Sequence, residues 1–347
     1  MRTGGRKSPD ESIAYLITHT DTGLQVVPYS PRFASAWQEV LVAAPNATLL
    51  HRRSYLEYHE ERFRDVSVLV FSRNHPLAVF PAHREGSEVY SHRGLSYAGL
   101  VHRGCSFHQT MQLYRHLLQY YSEQGVSALV LHPTPIVYAS ECADPLPYLM
   151  YLAGAETIDM KVTQAIVLPL VLAHKGRKAT VSRAGKSGLE IRLQEDVGEF
   201  WDDLLVPNLL LRYGRKPTHT REEMRYLKSM HPDSIYQYTV FEAETPVAGS
   251  TVYETPTCLH TQYLASNARG RELHALDLLV YHLATEVAGK KRYLDFGHSH
   301  EPKGGAINRS LFRWKQSFGA EPFPQVQYRV PTAAWKQLAE AERTTPR

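Results

Sequence analysis

The chain has 347 residues, 43% of them hydrophobic and 21% charged, and 39 Lys+Arg against 35 Asp+Glu leave a formal net charge of +4. That length suits two domains better than one core. The composition excludes wholesale disorder, and the near-balance of charge excludes a dedicated nucleic-acid binder while allowing a local basic site. Cys105, Cys142 and Cys258 are scattered without a CxxC pair, so a disulfide framework is excluded and a reducing compartment is expected. The longest apolar stretch, "AIVLPLVLA" (165–173), is far short of a membrane span, and "MRTGGRKSPDESIAYL" has no apolar signal core. The expectation is a cytoplasmic protein, at most peripheral at the inner membrane face. Its first ten or so residues and the closing "AEAERTTPR" are expected as frayed tails.

In chain order, apolar residues at helical spacing in "FASAWQEVLVAAPN" (33–46) predict an amphipathic helix. The β-rich "SVLVF" (67–71), the polar turn "RNHP" and the returning "LAVFPAH" (77–83) predict a hairpin. After "GLSYAGLV" (94–101) comes a long amphipathic helix over 108–125, stopping at Gly125, and then the strand "SALVLH" (127–132). The same order returns further on. "VGEFWDDLLVPN" (197–208) predicts a helix and "QYTVFEAETPVAGSTVYE" (237–254) a hairpin. "CLHTQYLAS" (258–266), a helix over 274–289 stopping at Gly289, and the strand "RYLDFG" (292–297) complete the set. Within the hairpins, "VFSRNHPLA" (70–78) and "VFEAETPVA" (240–248) are nearly one phrase written twice, 170 positions apart. The order helix, hairpin, strand, helix, strand points to a duplicated α/β unit.

A hairpin feeding a strand, a helix and a parallel strand resembles the core of the GNAT acyltransferases. Two such units in tandem resemble the Fem peptidyltransferases and the Fem-like GNAT proteins of polysaccharide gene clusters, over roughly residues 30–330. "YLDFGHSHEPKGGAINRSLFRWKQSFGAEPFPQVQY" (293–328) is similar to the family's C-terminal signature at Asp295, Phe296, Gly297, Ser299, Trp314, Lys315, Phe318, Gly319, Glu321 and Pro322. "KGRKATVSRAGKSGLEIRL" (175–193) and "NLLLRYGRKPTHTREEMRYL" (208–227) resemble the basic opening of the second unit and its helix and loop. Two departures stand beside these. "SNARGRELHALDLL" (266–279) keeps Gly270 but lacks the second Gly or Ala of an acetyl-CoA loop, and there is no long charged heptad arm.

The resemblance implies an α/β (α+β) fold of two tandem GNAT-like domains, each a mixed, mostly antiparallel sheet flanked by helices. The expected divisions are an N-terminal segment (1–25), a first unit (26–168), a second unit carrying most of the active site (169–335) and a tail (336–347). It also implies N-acyl transfer to an amine on a sugar or peptide-like acceptor, from acyl-CoA or aminoacyl-tRNA as co-substrate, with no tightly bound cofactor. The compact, arm-less chain favours acyl-CoA. Aminoacyl-tRNA-dependent amide formation and a GNAT-shaped binding protein without catalysis remain alternatives.

Such a transfer needs a deprotonated amine, a held carbonyl and a stabilised oxyanion, and no covalent nucleophile. Lys315, set between aromatics, suits a phosphate or the oxyanion, with a solvated lysine as the alternative. Asp295 ends the strand after the long helix, where ligands of open α/β sheets gather, and is a base or a brace of the next turn. In "HSHE", His298 is a candidate proton acceptor, and the cluster lacks a third convincing ligand for a metal site. Lys303 and Arg313 read as surface charges. Lys175, Arg177, Lys178, Arg183 and Lys186 are five cations in twelve residues, able to grip a phosphorylated donor or to be a solvated helix face. Arg269, Gly270 and Arg271 form the weak candidate phosphate loop. By resemblance, Tyr263, Trp314 and Ser299 belong to the acyl and acceptor cleft, with a packing tyrosine as the alternative for Tyr263.

Overall fold

In the computed structural model, residues 23–140, 145–301 and 305–344 are described, without the side chains of residues 59 and 60. Cys142 and Lys303 lie outside the described residues. The first half opens with strand β1 (Leu24–Pro28), helix α1 (Ala34–Ala43) and the short α2 (Arg53–Leu56). The hairpin β2 (Val68–Ser72) and β3 (His75–Phe80) follows, turning through Arg73 and Asn74 at φ 47° and 69°. Positive φ at both residues is what a two-residue hairpin loop demands. Next come β4 (His83–Glu85), β5 (Glu88–Tyr90), β6 (Val101–His102) and α3 (Phe107–Glu123). A reciprocal cap between Ser106 and Gln109 starts α3, and its apolar face buries Met111, Leu113, Leu117, Leu118 and Tyr121. β7 (Ala128–Leu131), α4 (Leu146–Leu152) and β8 (Glu156–Val167) complete this half.

The second half contains α5 (Lys175–Ala184), β9 (Leu189–Gln194) and a π-helical turn, Phe200–Leu205, running into α6 (Val206–Tyr213). Then follow α7 (Arg221–Met230), β10 (Ile235–Glu242), β11 (Thr245–Glu254) and β12 (Cys258–Ser266). The helix expected over 274–289 is α9 (Ala275–His282), prolonged by a π turn over Leu283–Val287. His274, left-handed at φ 56°, separates it from the short α8 (Ala268–Glu272). Last come β13 (Tyr293–His298), α10 (Arg309–Gln316), β14 (Ala320–Pro331) and α11 (Trp335–Thr344).

The repeated phrase folds the same way twice. Val70 pairs with Ala78 but Phe71 with Pro76, leaving Leu77 as an extra residue in β3. Val240 pairs with Ala248 but Phe241 with Pro246, leaving Val247 extra in β11. Proline has no N–H for the ladder, so the irregularity falls beside it. A bulge frees the extra residue's backbone. The Leu77 carbonyl accepts from Arg103 N at 3.0 Å and that of Val247 from Asn267 N at 3.1 Å. Each phrase thus hooks its hairpin to the lead-in of the next helix.

The strands form mostly antiparallel sheets flanked by helices. One has the order β1-β2-β3-β6, the other β4-β5-β7-β14-β8-β13-β12-β11-β10-β9. The larger sheet runs through both halves without a break. β8 lies between β14 and β13, and β14 pairs along Tyr328–Pro331 with β7 of the first half. The units expected at 26–168 and 169–335 therefore exchange a strand across that division. The expected tail, 336–347, is a correction: α11 reaches Thr344 and buries Leu338 completely against the first-half core. Its Glu342 accepts from Gln112 on α3 at 2.7 Å and pairs with Arg115 at 3.1 Å. The amphipathic pattern of those residues, with Leu338 on its inner face, wins over their polar composition. A further core joins the halves, with Trp37, Leu49 and Tyr55 packing with Trp201, Met224 and Tyr253.

Candidate functional site

The site begins where two strands part. β12 and β13 run parallel only from Cys258–Tyr293 to His260–Asp295. Beyond that rung, β12 continues with β11 past a bulge at Gln262, while β13 turns through Gly297, at φ 67°, toward β8. The gap opens at the ends of strands, where open α/β sheets take their ligands.

On the last shared rung, His260 Nδ1 and Asp295 Oδ2 are 2.6 Å apart. Asp295 is fully buried and also accepts from the hydroxyls of Tyr138 and Thr163, each at 2.5 Å, and from Gly297 N at 3.0 Å. Burial pushes its carboxyl up, but the hydrogen bond and charge of His260 and the hydroxyls of Thr163 and Tyr138 outweigh that. Its pKa is held below the ordinary carboxylate range. Tyr138 comes from the first half, on the short 3-10 turn Ile136–Tyr138, so both repeats build this centre. His260 Nε2 faces Gln262 Oε1 at 3.1 Å. An imidazolium therefore finds an oxygen at each nitrogen, Asp295 Oδ2 at Nδ1 and Gln262 Oε1 at Nε2. A buried carboxylate behind an imidazole fixes the ring's orientation and tautomer, the arrangement of a general base.

His260 looks into a cleft of about 610 Å³ between the halves. The first half supplies Tyr90, His92, Arg93, Tyr97 and His132; the long central strands supply Ile158, Lys161, Gln325, Gln327 and Arg329. Its cations have partners: Arg329 with Glu88 (2.7 Å), Arg93 with Glu85 (2.7 Å) and Lys161 with Asp159 (3.5 Å).

Of the residues singled out from sequence, Asp295 and His298 belong to this site. His298 lines the cleft with its side chain exposed there. Desolvation by the surrounding protein first, then the charges of Lys161, His300 and Lys315, push its pKa down. Lys315 lies beneath the floor, 2% exposed, donating to the carbonyls of Gly297 (2.9 Å) and His298 (3.0 Å). It clamps the turn that ends β13, and burial lowers its pKa to about 8 against the pull of Asp295. Ser299 is buried on Gln164 (3.0 Å). Trp314 donates to Asp277 (3.0 Å) and packs on Phe296 and Phe318. Tyr263 bonds His219 Nδ1 (2.7 Å) and packs edge-on to Trp201. None of Ser299, Trp314 and Tyr263 lines the cleft; all three brace its surroundings.

The candidate phosphate loop is one turn of helix with its own partners. Asn267 accepts from Gly270 N at 2.8 Å, Arg269 pairs with Glu242 and Glu272, and Arg271 donates to the Ser266 carbonyl at 2.9 Å. Gly270 is required by space, since a Cβ there would stand 2.1 Å from the Val247 carbonyl oxygen. Arg177 is bound to Asp277 and Ser317 and lies over the Phe318 ring, so it ties α5 to α9 and α10. Lys175, Lys178, Arg183 and Lys186 are exposed on and just after α5, away from the cleft lining.

Sequence reasoning missed His260, Tyr138, Thr163 and Gln262. Nothing in "CLHTQY" marks its histidine until the parallel register sets it beside Asp295. Among the described residues no group of three His, Cys, Asp or Glu is placed to hold a metal ion.

No protein-family model matches the sequence, and no curated protein matches it. Solved structures do match in shape. FemX aligns at TM-score 0.64 with 12% identity, covering 91% of this chain and 100% of its own. The C-terminal domain of a putative lysylphosphatidylglycerol synthetase from Agrobacterium fabrum aligns at 0.56 with 10% identity, covering 90% and 95%. L-PGS from Bacillus licheniformis aligns at 0.51 with 10% identity, covering 83% and 94%.

Proposed function

Starting from a Fem-like, GNAT-type fold with its cleft between two repeats, we propose that the protein is an acyl- or aminoacyltransferase with His260 as general base and Asp295 as its orienting partner. The observation that carries this reading is the buried carboxylate behind a cleft-facing imidazole at the strand divergence. In the reaction, the acceptor nitrogen attacks the donor carbonyl and a C–N bond forms. The proton leaving that nitrogen goes to His260 Nε2. The donor's C–S or C–O bond then breaks, and the imidazolium returns the proton to the departing sulfur or oxygen. The amides, hydroxyls and aromatic rings lining the cleft fit an amine on a sugar or peptide-like acceptor.

Two donors fit this chemistry. The acyl-CoA expected from the sequence needs an open phosphate-binding turn, and the turn at Asn267–Glu272 has already engaged the Gly270 N–H and both arginines. That observation favours the second donor, an aminoacyl ester on tRNA. A neighbouring fold named for lysylphosphatidylglycerol, a product carrying an aminoacyl group, agrees with it.

The test is mass detection of product with a panel of acyl-CoAs and charged tRNAs, on wild type and His260→Ala. The proposal expects turnover with one donor class and a loss of about 10²–10⁴-fold in kcat for His260→Ala, with donor affinity retained. Wild-type turnover by His260→Ala overturns the assignment of the base. Tight donor binding without turnover by the wild type overturns catalysis itself and leaves a binding protein.

A further inference from the structure

We propose that the end of α6 is a contact site for an anionic phospholipid surface, a property that goes beyond the transfer reaction and does not depend on it. α6 carries more leucine than its packing uses. Leu205, at the end of the preceding turn, is buried, and Leu209 of α6 packs on the core shared by the two halves, which accounts for the inner face. The neighbouring Leu211 is 85% exposed, Leu210 45% and Tyr213 38%. Large apolar side chains massed at one solvent-facing point mark a contact surface rather than a core.

The charges around them point to the partner. Arg212, Arg215 and Lys216 are interleaved with these side chains, and Gly214, left-handed at φ 63°, ends the helix so that the basic pair projects from it. Among the described residues, none of these three cations has an ion-pair partner. The arginines of the adjoining α7 are paired, Arg221 with Asp202 and Arg225 with Asp196. Cations without ion pairs, one of them (Arg215) lying 5.5 Å over the Tyr213 ring, mixed with leucines form the pattern of an interfacial helix. The apolar side chains enter the headgroup boundary and the cations meet lipid phosphates. A nucleic-acid backbone would use the cations, but it offers nothing to Leu210 and Leu211. None of these residues lines the cleft, so failure here leaves the acyl-transfer reading standing.

The experiment is co-sedimentation of the full chain with vesicles of phosphatidylglycerol and phosphatidylcholine, and of phosphatidylcholine alone. Wild type is expected to prefer the anionic vesicles and to lose that preference at high salt. The double change Leu210→Ser and Leu211→Ser is expected to weaken binding by on the order of tenfold or more. Replacing Arg212, Arg215 and Lys216 by Ser is expected to cost roughly fivefold for each cation removed. Val42→Ser, at an exposed apolar residue on α1, serves as the control and is expected to bind like wild type. No anionic binding by wild type overturns the proposal, as does a double-leucine variant that binds fully or a Val42→Ser variant that loses as much. A wild type that ignores vesicles but forms a dimer broken by the leucine changes overturns it in favour of a second copy of the chain.

Discussion

His260 and Asp295 stand side by side on the last rung shared by β12 and β13, Nδ1 to Oδ2 2.6 Å, although 35 positions separate them in the chain. The third member of the group, Tyr138, reaches the same carboxylate oxygen from the other repeat at 2.5 Å. A buried carboxylate that loses one charge-assisted donor is left under-solvated, and the ring it orients is less well fixed. Tyr138→Phe is therefore expected to lower unfolding free energy by about 1–3 kcal/mol and to reduce kcat with little change in KM. Chemical denaturation and steady-state kinetics on the variant check both parts.

Buried and half-buried histidines supply the first part of the acid sensitivity of the fold, His51 together with His102, His116, His132 and His231, whose pKa values burial likewise lowers. His51 is fully buried, its Nδ1 accepting from Thr48 N at 2.9 Å and its Nε2 facing the Ala98 carbonyl at 3.2 Å. Burial lowers its pKa from 6.5 to about 4, against the smaller opposing pull of the Ala98 and Thr48 backbone. A depressed folded pKa means that the unfolded chain binds the proton first. The stabilisation is complete above about pH 6.5 and drains away as pH falls toward 4, by on the order of 3 kcal/mol for this group. Asp295 adds a later loss, below the ordinary carboxylate range, because its folded pKa is lowered too. Urea unfolding at pH 7, 5.5 and 4.5 should show the first drop. A His51→Gln variant should show a shallower one.

Gly270 and Gly104 separate a spatial need from a general glycine effect. A Cβ at position 270 meets the Val247 carbonyl, whereas one at 104 has nothing within 4 Å. Gly270→Ala is expected to destabilise by about 1–3 kcal/mol through forced backbone movement at the bulge, and Gly104→Ala to be neutral or slightly stabilising. Thermal unfolding of both variants checks this, and equal shifts would mean that crowding at the bulge is not the cause.

Leu338, on the inner face of α11, is fully buried against the first-half core. If that helix belongs to the first-half core, Leu338→Ala should cost about 2–5 kcal/mol, as deletion of a buried leucine does. A frayed tail would lose nothing measurable. Denaturant midpoints decide between them.

Lys315, singled out from the sequence for a phosphate or an oxyanion, is engaged in the structure with backbone carbonyls instead. Its aromatic neighbours and place in "FRWKQSFG" single it out, but only the turn of β13 reveals that its ammonium holds the Gly297 and His298 carbonyls. Asp295 is legible because it ends an apolar strand. His260 is not, because a lone histidine in an alternating strand has no signature of its own. Arg177 and Arg269 look like ligand cations in a basic string, and their carboxylate partners, Asp277 and Glu242, lie on other elements.

The sequence by itself determined the local elements and their duplication. Spacing of apolar residues, prolines beside bulges and glycines at helix ends act through short-range sterics and hydrogen bonding that each segment carries with it. The tertiary structure decided which strand neighbours which. It placed β14 between β7 and β8, set His260 against Asp295 and turned the tail into a packed helix. Those outcomes depend on burying surfaces contributed by distant segments, a free-energy term that no single stretch of chain contains.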